Sequence, residues 1–238
     1  MIHRFVRWFG LDTVFCVISI QLFILDQLNH TDYELLIGLS FVTSLFYMID
    51  RVLDLYLEKE PLNNRQLVFF QKEDHIGITL TFLTLGSFVF WLRLAFPIKL
   101  ALVGLCLLFL FHLYWLRFRW YKVIKLFLIA FIFTAVMTVC HPVDNLGLII
   151  GLIFFFTLFN LLIHEWIESQ HPQLFIPVAL VAGLVLYFAF QLSILMFYIW
   201  LVSIALNYVL CVFSKRTPYW FEISELIYSF PFLIGVFI

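Results

Sequence analysis

Long apolar runs alternate along the chain with short polar breaks. Between the breaks lie nine windows, near 9–28, 33–57, 75–92, 97–116, 123–141, 145–167, 173–191, 193–213 and 219–238. A helix needs about 20 apolar residues to cross the hydrocarbon of a bilayer, and the windows are of that order. The pattern predicts an all-α polytopic membrane protein of about nine transmembrane helices, forming a single transmembrane domain over 1–238. The seventh and eighth windows are separated only by Gln191 to Ser193. No linker divides the chain and no internal repeat is evident.

The basic residues give an independent check on that count. On one side of a nine-span chain fall Arg4 and Arg7; Arg51, Lys59, Arg65 and Lys72; Arg117, Arg119, Lys122 and Lys125; and Lys215 and Arg216. These are 12 of the 14 Lys and Arg, leaving Arg93 and Lys99 on the other side. The positive-inside bias then predicts a cytoplasmic N-terminus and an outer C-terminus. Arg4 and Arg7 precede an apolar run without a small-x-small cleavage site, so the first window is expected to be an uncleaved span.

Composition agrees with this class. Apolar residues make up 64% of the chain, charged residues 12%, and Phe alone occurs 31 times. A soluble domain is about half apolar and a quarter charged, so this chain has too little polar surface to coat a water-soluble globule. A net charge of -1 argues against nucleic acid as a partner. Cys16, Cys106, Cys140 and Cys211 are scattered through apolar stretches, with neither disulfide nor zinc spacing.

With charge so scarce, acids near the membrane become candidate functional residues. The second window ends in Phe46-x3-Asp50-Arg51-x2-Asp54-x3-Glu58, where steps of four stack three carboxylates on one helical face. Like charges stacked in this way call for a cation. The sixth window ends in Asn160-x3-His164-Glu165-x2-Glu168, with Asn160, His164 and Glu168 on one face. Both groups reach the same expected surface. Together they would make an oxygen-rich site suited to Mg2+, which takes one or two carboxylates and completes its shell with phosphate and water. Arg65, Lys72, Lys122 and Lys125 fall on that side and could hold phosphate oxygens. Helix-end acids are also simply solvated among headgroups, and the lysines and arginines also serve as positive-inside anchors.

These residues resemble the UbiA superfamily of intramembrane prenyltransferases, which has nine helices and acid-rich motifs after helices two and six. Asp50 and Asp54 fall on the first motif, N-x3-D-x3-D, whose Asn position is Phe46 here. His164 and Glu168 fall on the spacing of the second, with Glu165 beside them. Tyr121, Lys122 and Lys125, leading into Phe131 to Thr134, are similar to the family's entry to helix five. The likeness of architecture covers nearly the whole chain, whereas that of motif is confined to these residues. Gly10-Leu11-Asp12 and Ile49-Asp50-Arg51-x2-Asp54 look like a divergent bacterial branch, which implies an inner membrane.

The resemblance implies a UbiA-like bundle that moves an isoprenyl group from its diphosphate to an aromatic or lipid acceptor at the cytoplasmic face. It implies Asp50, Asp54, Glu165 and Glu168 as catalytic residues, and Asp50, Asp54, Glu58, His164, Glu165 and Glu168 as Mg2+ ligands. Arg51, Arg65, Lys122, Lys125 and Asn160 would bind the substrate, with isoprenyl diphosphate, a hydrophobic acceptor and membrane lipid as partners. The departures are physical: Phe46 lacks an amide, and His164 offers nitrogen where Mg2+ prefers hard oxygen.

Other readings stay open. A UbiA-like fold without catalysis would bind a lipid or a partner. A small transporter would break its helices at Gly or Pro in matched halves, whereas Pro177, Gly183 and a few others interrupt the spans here without matched halves. His112 and His164 are the candidate haem ligands, although no two histidines share a helix at useful spacing. A CDP-alcohol phosphotransferase would need D-G and A-R pairs upstream of Asp50, which are missing.

Overall fold

The computed structural model describes residues 11–27, 33–57, 73–115, 121–141, 146–169, 174–213 and 220–236. They form α1 (Leu11–Gln27), α2 (Tyr33–Leu57), α3 (Glu73–Arg93), α4 (Phe96–Trp115), α5 (Tyr121–Thr138), α6 (Leu146–Ser169), α7 (Phe175–Leu192), α8 (Ile194–Phe213) and α9 (Trp220–Gly235). Each helix falls in one of the windows between polar breaks, and the described residues contain no strand. Four helices hold stretches long and apolar enough to cross a membrane: Ile76–Arg93, Gly147–Ile167, Phe175–Leu192 and Ile194–Cys211. The protein is thus membrane-embedded, and its described residues are helical apart from the short connections between helices. Shorter apolar stretches lie in α1, α2, α4 and α5.

Where polar residues are too few to end a helix, single residues do so. Ser193 alone separates α7 from α8. Its extended backbone stops α7, its N–H still donates to Ala189 O, and its hydroxyl accepts from Met196 N–H at 3.1 Å in the first turn of α8. One serine therefore closes one helix and caps the next.

The interior has two apolar clusters that share α1 and α5. The larger gathers α1 and α5 to α9 around Val17, Phe23, Leu152, Phe156, Trp200 and Phe232. The smaller joins α1 to α5 through Leu25, Leu39, Phe90, Phe109, Ile132 and Val136. At the centre of the larger cluster is α6, which packs on α5, α7, α8 and α9. A helix apolar on all sides is either wrapped by others or faces lipid, and the chain contains both cases. Of the Gly147–Ile167 stretch in α6, 56% is buried, against 11% of Ile76–Arg93 in α3.

Paired contacts set the directions of the helices. Cys16 and Ser229, and Phe23 and Phe232, run α1 parallel to α9. Thr157 and Tyr228, with Asn160 and Ser224 beyond them, run α6 antiparallel to α9. Leu25, near the end of α1, clusters with Leu35 and Leu39 at the start of α2. The C-terminal ends of α2 and α6 consequently lie at the same end of the bundle.

The pairing of α2 with α3 is set by size complementarity. A methyl at Gly38 would run into the Phe90 ring, and one at Gly86 would stand 2.5 Å from Phe41. Each helix inserts a phenylalanine where the other has a glycine, so the backbones approach closely, as small residues allow in membranes. Phe41 also meets Phe82 at 5.3 Å, and Arg93 Nη1 meets Glu34 Oε2 at 2.9 Å at the end of the pair. Lys99 Nζ donates to Leu92 O at 3.1 Å and lies 5.1 Å from the Trp91 ring centroid. The two basic residues outside the majority set are thus both locally partnered.

Gly38→Ala and Gly86→Ala should each destabilise the protein by about 1–3 kcal/mol, the usual cost of overpacking. Gly77→Ala, with nothing within 4 Å of the added methyl, should be neutral or stabilising by up to about 1 kcal/mol. Denaturant titration of the protein in detergent, followed by circular dichroism, measures all three.

Candidate functional site

The principal polar constellation in the described interior begins at a proline. Pro231 lies inside α9 and has no N–H, so the carbonyl of Ile227, four residues earlier, loses its helical partner. Inside a bilayer no water replaces it. The Ser203 hydroxyl on α8 donates to Ile227 O at 2.9 Å. One turn on, Asn207 Nδ2 donates to Ser203 O at 3.1 Å, which points its carboxamide oxygen toward α9.

Ser224 Oγ receives that oxygen and joins three helices. It lies 3.3 Å from Asn207 Oδ1, 3.2 Å from Asn160 Oδ1 and 3.0 Å from His164 Nε2. A hydroxyl has one proton and two lone pairs. The two oxygen distances are long for an O–H donor, as expected of one proton shared between two carboxamides. The network balances when His164 donates from Nε2 and Ser224 donates onward. Ser224, Asn207 and Ser203 are almost completely buried, and Asn160 nearly so.

Toward the middle of the bundle the network meets aromatic rings. Thr157 Oγ1 and Tyr228 Oη are 2.7 Å apart. Phe156 stacks on Tyr228 at 4.6 Å and meets Trp200 at right angles at 4.3 Å. Trp200 meets Phe232 at 4.8 Å. A second polar group joins α1 to the end of α5. There Gln21 Nε2 donates to Met137 O at 3.0 Å, and Gln21 Oε1 lies 3.1 Å from His141 Nε2.

Asn160 and His164 are therefore brought together, one turn apart on α6, and both meet Ser224. Glu165, the next residue, faces outward, as a step of about 100° around a helix requires. Lys125 is half-buried in the second turn of α5. Asp50, Arg51 and Asp54 lie in the last turns of α2, Lys122 in the first turn of α5 and Glu168 at the end of α6, but their side chains, like that of His112, lie outside the description. Glu58 and Arg65 fall outside the described residues altogether. Among the described residues no three His, Cys, Asp or Glu side chains gather as a metal-holding group. The carboxylates at the ends of α2 and α6 are hard oxygen donors of the kind Mg2+ takes, whereas His164 Nε2 lies against a hydroxyl.

Sequence reasoning centred on acids passed over Ser203, Asn207 and Ser224. One signal could have found them: Pro231 within an apolar window strands the carbonyl of Ile227, and a donor is then required on a neighbouring helix. Which serine supplies it depends on the pairing of α8 with α9, which no local pattern carries.

Ser203→Ala should cost about 1–3 kcal/mol, the cost of leaving a buried carbonyl unpaired. In a Pro231→Ala background, which restores the backbone donor, the same change should cost close to nothing. A double-mutant cycle on unfolding free energies in detergent reads this coupling.

Comparison with protein-family models, with curated proteins and with solved structures yields no match for this chain.

Proposed function

We propose that the protein is a nine-span, UbiA-like prenyltransferase that takes an isoprenyl diphosphate and a hydrophobic acceptor at one membrane face. One observation carries this reading: α2 and α6, the two helices whose last turns hold the acid steps, end on the same side of the bundle. Asp50 and Asp54, with Glu165 or Glu168, would hold Mg2+, and Lys122, Lys125 and Arg65 would meet the diphosphate. The bound metal would neutralise charge on the departing diphosphate. The chain's own part is to hold the acids at two helix ends while the packed aromatic interior excludes water. The 12-to-2 division of basic residues supports this face as the cytoplasmic one.

Asp50→Asn and Asp54→Asn should each lower Mg2+-dependent pyrophosphate release by about 100-fold or more, the scale seen on removing one charge-stabilising group from an active site. Phe154→Leu, at a half-buried packing position in α6, should stay near wild type. The assay is pyrophosphate release by purified protein over a panel of isoprenyl diphosphates and acceptors. Absence of any Mg2+-dependent turnover or binding across that panel refutes the catalytic reading.

A second reading is favoured by one feature. Asn160 and His164, which sit at or beside the second motif, both engage Ser224 in the interior. A bundle that keeps the fold and binds lipid without catalysis would use them in this way, and it would bind lipid independently of Mg2+.

A further inference from the structure

Consecutive helices of this bundle pack side by side, with one exception among the described residues. α3 packs on α2 and α4 packs on α5, yet α3 and α4, joined through Leu94 and Ala95, scarcely touch each other. The hydrogen bond and ring contact between them lie at that joint, where Lys99 Nζ reaches Leu92 O and the Trp91 ring. This contact marks the faces that the two helices turn toward each other. Thr84 and Phe88 lie on the Trp91 side of α3, and Val103, Cys106 and Leu110 on the Lys99 side of α4. Helices in contact would bury these positions, but all five are exposed, Phe88 by 54% and Leu110 by 59%. Further along the same face of α3, a methyl added at Gly77 would meet nothing within 4 Å. The two helices therefore diverge from their joint and leave an apolar slot between them. Thr84 keeps its wall apolar by turning its hydroxyl back onto Leu80 O at 2.7 Å.

The slot is closed at the joint and open at its other end. The two glycine–phenylalanine insertions run α3 antiparallel to α2, and Phe46 meets Phe109 at 4.9 Å, so α3 begins and α4 ends beside the last turns of α2. Gln21 on Met137 sets the end of α5 beside the later turns of α1, which puts the start of α5 at the open end as well. The mouth thus stands between the end of α2, with Asp50 and Asp54, and the first turns of α5, with Lys122 and Lys125.

From this juxtaposition we propose that the hydrocarbon chain of the isoprenyl diphosphate lies between α3 and α4, entering sideways from the bilayer with its diphosphate at the mouth. The proposal rests on the prenyl-transfer reading and adds where the donor chain lies. Charge selects this occupant: acids that would take a divalent cation, facing two lysines, match a metal-bound diphosphate, whereas a zwitterionic headgroup matches neither. From Gly77 to Trp91 the slot runs about 21 Å along α3, a length that a long donor fills and a dimethylallyl group does not.

The test measures binding of unreactive thiolodiphosphate analogues, geranylgeranyl and dimethylallyl, to the full-length protein in dioleoylphosphatidylcholine nanodiscs with Mg2+. Val103→Trp fills the slot and should weaken binding of the geranylgeranyl analogue about ten-fold, on the scale of overpacking a fitted site, while leaving the dimethylallyl analogue unchanged. Leu180→Trp, on the exposed face of α7, should change neither. A benzophenone at the far end of the geranylgeranyl analogue should cross-link wild-type protein within α3 and α4, a readout that holds even where a variant folds poorly. If the analogues bind but Val103→Trp affects both alike or neither, or if the cross-links fall elsewhere, bilayer lipid or a second copy of the chain fills the slot. The inference is then wrong while prenyl transfer stands. If neither analogue binds in the presence of Mg2+, the prenyl-transfer reading fails and the inference falls with it.

Discussion

The carbonyl of Ile227, left without its helical partner by Pro231, is the constraint around which the polar interior is arranged. Ser203 must approach it within hydrogen-bonding distance, which fixes the height of α8 against α9. Asn207 then donates to the backbone of Ser203, and its oxygen can be met only by a hydroxyl at the level of Ser224. Ser224 in turn draws in Asn160 and His164 from α6. Water would blur such a chain by offering partners everywhere. In a bilayer no water stands in for a missing backbone donor, so one missing N–H on α9 propagates to two side chains on α6.

Apolar packing supplies the bulk of the contacts but little of the specificity. Lipid chains are as apolar as Leu, so burying one helix against another in a membrane has no hydrophobic driving force of the aqueous kind. What distinguishes one register from another is shape, as in the two glycine–phenylalanine insertions between α2 and α3, and polar pairing, as in the α6–α8–α9 network. Glycine–phenylalanine fit recurs in both lobes, at Gly38 and Gly86 in the smaller and at Gly151 and Gly235 in the larger, and the larger adds the hydrogen-bonded network. α1 and α5 belong to both and link them through Gln21, Met137 and His141.

The positions of the helices were legible because a membrane helix announces itself by length and apolarity alone. Each polar break separated two helices, even the single Ser193 between α7 and α8. Burial was not legible: α3 and α6 look alike as strings of apolar residues, yet one faces outward and the other is wrapped. The site was partly legible. Asn160 and His164 stood out as polar residues on an apolar helix, and the structure places them side by side. Their partner Ser224 did not stand out, because a serine in a membrane helix is ordinary until its neighbours are known. The acids at the ends of α2 were singled out by spacing, which fixes a helical face but not what that face meets.

The reciprocal insertion of Phe90 at Gly38 and Phe41 at Gly86 also bears on how this hairpin can change over time. Neither glycine can grow unless the opposing ring shrinks, and neither ring can be lost without leaving a void beside a bare backbone. The four positions therefore behave as two linked pairs, and viable variants should exchange size across the interface: a small residue facing a large one, on whichever helix. In homologous chains this would register as paired variation between positions 38 and 90 and between 41 and 86, while the lipid-facing residues between them drift freely.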